Sequence, residues 1–347
     1  MEFHAYPSIP NAHAHAFVDT CRRAVPPDEQ WLLVEKIHGC NFALYALGED
    51  SQCVRAARRG GFLDDRDVFH GANVILNQYT PALRALHRAL GGGAANVLSV
   101  HGELFGGLYP HDQVPQPPAT AKARVKPVQK GVYYAPDHRF MAFDVAWNGV
   151  FLPWHDAQRQ CAQAGLPFTP LVQVGSLDTL LAFNVDAFET QVPAALGLPR
   201  MADATKRVAE GVVLRPAREF AIPTLNGPQR ALIKLKAKAF REVTGDVASN
   251  KEEVSVAAAT LDPTPYVNDA RLRALLSKEE PRTFKHKGDV FALLHPLIAD
   301  IDEELQREHP GMAEDNARDR RALRRVIGDA VEAYLASKVA ALVDGTF

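Results

Sequence analysis

The sequence has little cysteine and no long apolar run. Its four cysteines form no CxxC pair, which argues against a zinc site or a disulfide framework. No apolar run approaches 18 residues, so no membrane span is expected. No basic segment followed by an apolar core marks a secretory signal. These absences favour a reducing, cytoplasmic location and a protein that works away from membranes. The scattered cysteines are Cys21, Cys40, Cys53 and Cys161.

The sequence also lacks a strong excess of either charge. Its formal net charge is −2 over 347 residues, so any surface for nucleic acid must be local. The length has room for two domains. Strand-like patterns stop near residue 250, and the segments 270–276, 290–305 and 317–343 have helical periodicity. We therefore expect one domain over residues 1–245 and a helical domain over residues 246–347.

One lysine lies at the end of a mostly apolar segment. The chain runs from Trp31 through Val34 into Glu35-Lys36 and then reaches Gly39, a pattern typical of a buried strand entering a tight turn. Low-dielectric surroundings favour the neutral amine, which makes a lysine nucleophilic. The simpler alternative is a strand-end lysine whose ammonium reaches water.

Other charged residues lie at strand ends further along the chain. Arg59 precedes two glycines in a basic turn, Glu103 lies between glycines, and Glu210 begins an apolar strand. Strict alternation over residues 231–238 places Lys234 and Lys236 on one face of a strand. Each has a simpler interpretation: the carboxylates as ion-pair partners, and the lysines as a solvated face.

Three further segments complete the pattern. Residues 67–90 are predicted to be helical, with Pro81 starting a second segment. Residues 115–127 are predicted to form a proline-rich basic loop. Residues 1–30 contain three histidines but no spaced acidic or cysteine partner, so we interpret them as a surface segment rather than a metal site.

The charged positions fall into an ordered series of short motifs. This series resembles the motif set of the covalent nucleotidyltransferases, which include ligases and mRNA capping enzymes. Each motif is weak alone, but all of them in order within about 200 residues are hard to obtain by chance. The motifs are Lys36-Ile37-His38-Gly39, Arg59-Gly60, Glu103 in His-Gly-Glu-Leu-Phe-Gly, Phe143-Asp144, Glu210 in Glu-Gly-Val-Val-Leu-Arg-Pro, and Lys234-Leu235-Lys236.

Within that superfamily, the segment from Glu35 to Phe42 resembles the lysine motif of the RNA ligase 2 family. These are ATP-dependent ligases that seal nicks in duplex RNA, and they include the kinetoplastid editing ligases. The Tyr-Tyr-Ala-Pro-Asp-His segment before the strand of Phe143 also favours this branch over DNA ligases. Cys40 stands where threonine is more usual, and Arg215 where lysine is common.

The resemblance implies an α+β fold with an ATP-grasp-like or DNA-ligase-type adenylation domain, in which ATP lies between antiparallel sheets. An all-helical C-terminal domain would follow. The implied cofactors are ATP and Mg²⁺ or Mn²⁺. Lys36 would form lysyl-AMP, Glu210 would position the metal, and Phe143 would stack on adenine. The other residues implied in catalysis or nucleotide binding are Glu35, Ile37, Asn41, Arg59, Glu103, Lys234 and Lys236.

The implied reaction joins a 3′-OH to a 5′-phosphate through lysyl-AMP and an adenylylated RNA end. The expected partner is RNA in a nicked duplex, with an RNA/DNA hybrid as a further substrate, and the protein is expected to be a monomer. Two alternatives stay open. A capping-type guanylyltransferase is disfavoured because the tail lacks a pattern of short strands. A non-catalytic module that binds ATP or RNA ends is disfavoured by the intact lysine motif.

Overall fold

The computed structural model divides the chain into two compact units. One consists of Met1–Ala12 and Thr20–Ala237, and the other of His13–Asp19 and Lys238–Phe347. The predicted border at 245/246 and most of the predicted loop at 115–127 lie outside the described residues. The structure describes residues 2–48, 53–64, 67, 69–115, 126–224, 227–241, 262–277, 283–308 and 317–347, without the side chains of 317–319.

Up to Ala237 the chain alternates strands with a few helices. The helices are α1 (His15–Ala24), α2 (Ala72–Ala89), α3 (Trp154–Ala164), α4 (Leu177–Leu181) and α5 (Val192–Ala195). The strands are β1 (Trp31–Lys36), β2 (Cys40–Leu47), β3 (Cys53–Arg58), β4 (Gly61–Phe62), β5 (Val97–Leu108), β6 (Ala135–Trp147), β7 (Val150–Phe151), β8 (Leu171–Gly175), β9 (Gly211–Pro216), β10 (Ala221–Ile222), β11 (Gln229–Arg230) and β12 (Ile233–Lys236).

Two antiparallel sheets organise the first unit. The larger has the strand order β4-β3-β2-β5-β6-β7, and the smaller β12-β9-β1-β8. On one face of the larger sheet, Phe42 and Leu44 pack with Leu83 and Leu86 of α2 and with Cys161 of α3. The opposite face carries a smaller buried cluster around Ala43, Tyr45 and Ala57, together with polar side chains. The predicted α+β fold with antiparallel sheets is confirmed.

Two predicted elements differ in detail. Helix α2 is continuous, with Pro81 inside it rather than at the start of a second segment. Strand β12 ends at Lys236, and Lys238 begins a short 3-10 turn. The strand is shorter than the alternation predicted because the chain turns at Lys238; the last bond to the neighbouring strand runs from the Ala237 N–H to Glu210 O. The N-terminal segment is also less peripheral than predicted, since His4 O accepts a hydrogen bond from Tyr45 Oη.

In the second unit, helices are the regular secondary structure among the residues that the structure describes after Lys238. Its helices are α6 (Asp269–Ser277), α7 (Lys287–Phe291), α8 (Leu294–Glu308) and α9 (Ala317–Val343). Leu297 and Ile301 of α8 pack against Ile327 and Val331 of α9 in a separate apolar core. The predicted helical C-terminal region is confirmed. No helix in the described part of the chain has the length and apolarity needed to cross a membrane.

Candidate functional site

Lys36 and Lys236 share one face of the smaller sheet. Gly211 of β9 pairs with Lys36 on one side and with Lys236 on the other. Residues directly opposite on neighbouring strands point to the same face. The two lysines therefore flank a position that has no side chain. The next row on this face contains Val34, Val213 and Lys234.

Gly211 is required by the close approach of two strands. A Cβ atom at this position would lie 2.3 Å from Leu235 O and 2.9 Å from Lys236 Cα. Only glycine fits such a contact. The approach brings Lys236 beside Glu210, which precedes β9.

Glu210 is the centre of a buried charge cluster, here called the Glu210 cluster, with Lys36, Lys236 and His38. Its Oε2 lies 2.6 Å from Lys36 Nζ and 3.4 Å from His38 Nδ1, and its Oε1 lies 3.2 Å from Lys236 Nζ. Burial alone would raise the pKa of Glu210, but the ammonium groups of Lys36 and Lys236, with the hydrogen bond from His38, outweigh burial and hold the pKa well below its usual range. Glu210 is therefore a carboxylate at neutral pH.

Glu103 lies close to this cluster in a different protonation state. Burial raises the pKa of Glu103 to about 8; Lys36 lowers it and Glu210 raises it. The N–H of Gly39 donates to its carboxyl group. Gly39 must be glycine here, because a Cβ would lie 2.2 Å from Leu104 O. At pH 7 Glu103 is mainly neutral, and Glu210 is the charged one of the two carboxyl groups.

Asn41 and Arg59 extend the row from Glu103 across the larger sheet. Asn41 of β2 pairs with Glu103 of β5. Arg59 follows β3 and is exposed; its charge lowers the pKa of Glu103, and its guanidinium donates to Ser8 Oγ at 2.7 Å. Three predicted residues thus lie near one another on the face opposite the apolar core.

The structure places the side chain of Glu35 on the other face of the smaller sheet from Lys36. Glu35 alternates with Lys36 along β1, so its side chain points to the opposite face. There it accepts hydrogen bonds from Thr190 Oγ1 at 2.5 Å and from the Gln191 N–H at 2.8 Å. Ile37 is buried. A role for Glu35 in reading adenine would have to come from its backbone, whose N–H donates to Pro170 O.

Phe143 and Lys234 are each held by the N-terminal segment. Phe143 lies at a β-bulge in β6, where one extra residue turns its side chain. Its ring packs edge-on against Tyr6, with ring centroids 4.9 Å apart. Lys234 donates its backbone N–H to Pro10 O at 2.8 Å. Contacts of residues 2–12 with two predicted site residues are not visible in the sequence pattern.

A second buried cluster, here called the Asp144 cluster, joins the two sheets. Asp144 Oδ1 lies 2.8 Å from Arg215 Nη1, and its Oδ2 lies 2.8 Å from Arg230 Nη1 and accepts from Tyr6 Oη at 2.5 Å. Glu219 pairs with both arginines, at 2.6 and 2.7 Å. Burial alone would raise the pKa of Asp144, but the two guanidinium groups hold it well below its usual range.

The sequence reasoning missed the Asp144 cluster, although one signal was present. A carboxylate in the apolar strand around Phe140 and a guanidinium in the apolar strand of Arg215 both need partners when buried. That argument pairs Asp144 with Arg215. The contacts of Arg230 and Tyr6 with Asp144 join residues far apart in the chain, and no local sequence pattern indicates them.

Glu210 also fits the ligand chemistry of a divalent metal. Mg²⁺ and Mn²⁺ bind oxygen donors, and carboxylates are the usual protein ligands. Glu210 remains ionised despite its burial. In this structure its two oxygens lie next to the ammonium groups of Lys36 and Lys236, so the carboxylate already has positively charged neighbours.

Comparison with known families agrees with this geometry. Residues 29–236 match the RNA ligase family. The chain belongs to this family. The matched range begins before β1 and ends at Lys236, so it contains every residue of the Glu210 cluster.

Two curated relatives come from Trypanosoma brucei brucei. The mitochondrial RNA-editing ligase 1 is 29% identical over 241 residues, which cover 62% of this chain and 50% of the relative. The mitochondrial RNA-editing ligase 2 is 29% identical over 238 residues, covering 64% and 56%. This RNA ligase family member therefore aligns with only about half the length of these relatives.

Solved RNA ligases also align with the chain. An archaeal ATP-dependent RNA ligase aligns with a TM-score of 0.42 and 15% identity, over 98% of this chain and 66% of that one. A Naegleria gruberi RNA ligase variant with ATP and Mn aligns with a TM-score of 0.40 and 11% identity, over 68% and 57%.

Proposed function

We propose that this protein is an ATP-dependent RNA ligase that seals 3′-OH/5′-phosphate nicks through lysyl-AMP on Lys36. The observation that carries the proposal is the Glu210 cluster. It places a strand-end lysine next to a second lysine and an ionised carboxylate, inside the region that matches the RNA ligase family. The proposal extends the family assignment to a substrate, a cofactor and a mechanism.

The first step is attack of Lys36 Nζ on the α-phosphorus of ATP. An N–P bond forms, the bond to the bridging oxygen breaks, and pyrophosphate leaves. Lys36 is ion-paired with Glu210 in this structure, so its amine must leave that pair and lose a proton before it attacks. Lys236 and Lys234 then offset the negative charge that develops on phosphate oxygens. AMP next passes to the RNA 5′-phosphate, and the 3′-OH finally displaces AMP.

Glu210 is the residue that would hold Mg²⁺ or Mn²⁺. A divalent ion there would neutralise charge on the phosphate oxygens and orient them. Lys36 and the ion would compete for the Glu210 carboxylate. Binding of the ion would therefore release Lys36 from its ion pair with Glu210.

The nucleoside would lie between the two sheets. Phe143 would stack on adenine, with the backbone of Glu35 and the side chain of Ile37 bordering the base. Ribose and phosphate contacts would come from the polar row of the larger sheet. That row consists of Asn41, Arg59 and Glu103.

The proposed substrate is a nick in duplex RNA, including RNA/DNA hybrids, bound by a monomer. An A-form duplex is recognised through its shape and 2′-hydroxyl groups, so sequence preference should be weak. Phosphate contacts make binding strongly salt-dependent.

Labelling with nucleotide tests the first step. We expect retention of label from α-labelled ATP and none from α-labelled GTP, with an adenylyl group on the peptide that contains Lys36. The variant Lys36→Ala should lose this adduct but still seal pre-adenylated RNA. Label from GTP would indicate a capping-type enzyme. No label at all would indicate a binding module.

Nick substrates test the substrate assignment. Matched nicked duplexes of RNA, DNA and both hybrids should be compared with free single strands. Faster sealing of single strands than of the RNA duplex would contradict the proposed substrate while leaving the lysyl-AMP chemistry intact.

A further inference from the structure

The turn that follows Lys36 is held by side chains from distant positions. Its His38 N–H donates to Tyr134 Oη at 2.9 Å. Its Gly39 C=O accepts from Gln129 Nε2 at 3.1 Å, and its Gly39 N–H donates to the carboxyl group of Glu103. Two of the three contacts come from one short segment, residues 129–134, that precedes β6. Tyr134 belongs to the Tyr-Tyr-Ala-Pro-Asp-His segment noted in the sequence, whereas Gln129 lies outside all the motifs recognised there.

Tyr134 is a rigid anchor for this turn. Its residue surface is only 1% exposed, and its ring packs edge-on against Phe105 with centroids 5.3 Å apart. A buried aromatic ring with two torsion angles loses little entropy when it holds a fixed position. The Tyr134 hydroxyl therefore fixes where the His38 N–H lies.

The position of His38 matters because it contacts the same carboxylate as Lys36. Both side chains approach Glu210 Oε2, Lys36 from the last position of β1 and His38 from the turn. A displacement of the turn would move His38 relative to Glu210 and so change the surroundings of the Lys36 ammonium at the same oxygen. Loss of the Tyr134 hydroxyl would also leave a main-chain N–H without its partner, which the turn would relieve by moving.

Tyr134 remains a neutral hydrogen-bonding group in this setting. Burial raises its pKa well above the usual value, and the nearby carboxyl groups of Glu35, Glu210 and Glu103 raise it further. The phenol therefore keeps its hydrogen and does not add a negative charge next to Lys36. This fits a role in holding geometry rather than in moving a proton.

We propose that Tyr134 is a positioning residue for adenylyl transfer, which sets the direction of Lys36 by holding the His38 N–H. This inference rests on the proposed lysyl-AMP function. It predicts that Tyr134 matters for formation of lysyl-AMP and much less for sealing of pre-adenylated RNA, because the last step does not use the Lys36 amine.

The test compares Tyr134→Phe with Tyr109→Phe. Both remove one hydroxyl from a tyrosine that is 1% exposed; that of Tyr109 donates to Pro199 O at 2.6 Å, away from the turn. We expect Tyr134→Phe to lower the rate of lysyl-AMP formation at saturating ATP about tenfold, with a KM for ATP within twofold of the wild type. Sealing of pre-adenylated RNA should stay within twofold. Tyr109→Phe should change neither rate more than twofold.

Hydrogen exchange gives a readout that does not depend on activity. The His38 amide should exchange at least tenfold faster in Tyr134→Phe and at the wild-type rate in Tyr109→Phe. Unchanged exchange, unchanged lysyl-AMP formation, or equal slowing of both chemical steps would each overturn the proposal. If the wild-type protein forms no lysyl-AMP, the proposed function fails, and the role of Tyr134 in that reaction fails with it. The exchange result then still reports whether Tyr134 holds the turn.

Discussion

The Asp144 cluster and the Glu210 cluster use similar side chains in opposite ways. In the Asp144 cluster, two carboxylates face two guanidinium groups, and the central residues are 0% and 3% exposed at their side chains. In the Glu210 cluster, one carboxylate faces two ammonium groups, and the side chain of Lys36 is 23% exposed. The first has balanced charges around a buried central pair, and the second has excess positive charge and a partly exposed lysine.

This difference indicates what each cluster is suited to do. A balanced set of ion pairs has no excess charge to attract a ligand, and its main effect is to join the two sheets through Asp144 and Arg215. A set with excess positive charge attracts anions, and partial exposure lets a phosphate reach it. Because Glu103 is mainly neutral at pH 7, it does little to cancel that excess.

The largest effect should come from breaking the balanced cluster. Asp144→Asn leaves Arg215 and Arg230 buried without their shared charge, and loss of one partner of a buried ion pair costs about 3–5 kcal/mol. We expect the free energy of unfolding in urea to fall by that amount. Glu219→Gln is the matched control, because this carboxylate is 26% exposed and its loss can be compensated by water. If the free energy of unfolding of Asp144→Asn fell by less than about 1 kcal/mol, the proposed structural role of this cluster would be contradicted.

A change in the Glu210 cluster is expected to affect catalysis more than stability. Glu210→Gln removes the negative charge between Lys36 and Lys236, where a metal and phosphate would be organised. We expect lysyl-AMP formation to slow about 100-fold, or about 2.7 kcal/mol in activation free energy. The free energy of unfolding should change less than in Asp144→Asn, because Lys36 can turn towards solvent.

Glu189→Gln is the control for Glu210→Gln. Glu189 bridges Arg200 and Arg207 on the surface, so it has a similar arrangement of charges without burial. Such exposed pairs contribute little to stability, because water and salt screen them. A variant Glu210→Gln that unfolds more easily than Asp144→Asn but forms lysyl-AMP at the wild-type rate would reverse the assignment of the two clusters.

Most members of the Glu210 cluster could be identified from the sequence, because they lie at the ends of strands that the apolar runs and glycines mark. Lys36 precedes a Gly-containing turn, and Glu210 and Lys236 end or begin apolar stretches. The resemblance to a known motif series implied antiparallel sheets, but the pairing of β1, β9 and β12 that joins these residues came from the structure. The mutual contacts in the structure agree with that series; the catalytic roles remain predictions.

The rest depends on contacts between residues that are far apart in the chain. Tyr134 meets His38 across 96 positions, and Arg230 meets Tyr6 across 224. No local periodicity contains such pairs, since they follow from how the two sheets pack. The length of β12 was not predictable from the alternation either, because the chain turns at Lys238 directly after the bond from the Ala237 N–H to Glu210 O. The orientation of Glu35 away from the predicted site follows from alternation along β1 once the face of Lys36 is known.

Glu35 sharpens the comparison because it is a buried carboxyl group whose hydrogen-bond donors are neutral. Burial raises its pKa to about 7, whereas the cations beside Asp144 and Glu210 lower theirs. Between its ordinary pKa and about 7, Glu35 binds more protons in the folded state than in the unfolded state. The contribution of Glu35 to stability must therefore fall as pH rises through that range.

A glutamine at position 35 isolates this smallest effect. In Glu35→Gln, the amide oxygen can still accept from the Gln191 N–H, and the amide nitrogen can donate to Thr190 Oγ1. We expect the wild type to lose about 1 kcal/mol of unfolding free energy relative to this variant between pH 6 and pH 7, measured in urea without metal or nucleotide. Glu189→Gln should show no such change, because the pKa of Glu189 is lowered to about 2 by its bonds to Arg207 and Arg200. A constant difference between the wild type and Glu35→Gln would mean that Glu35 does not titrate between pH 6 and pH 7. Burial would then not raise its pKa into this range.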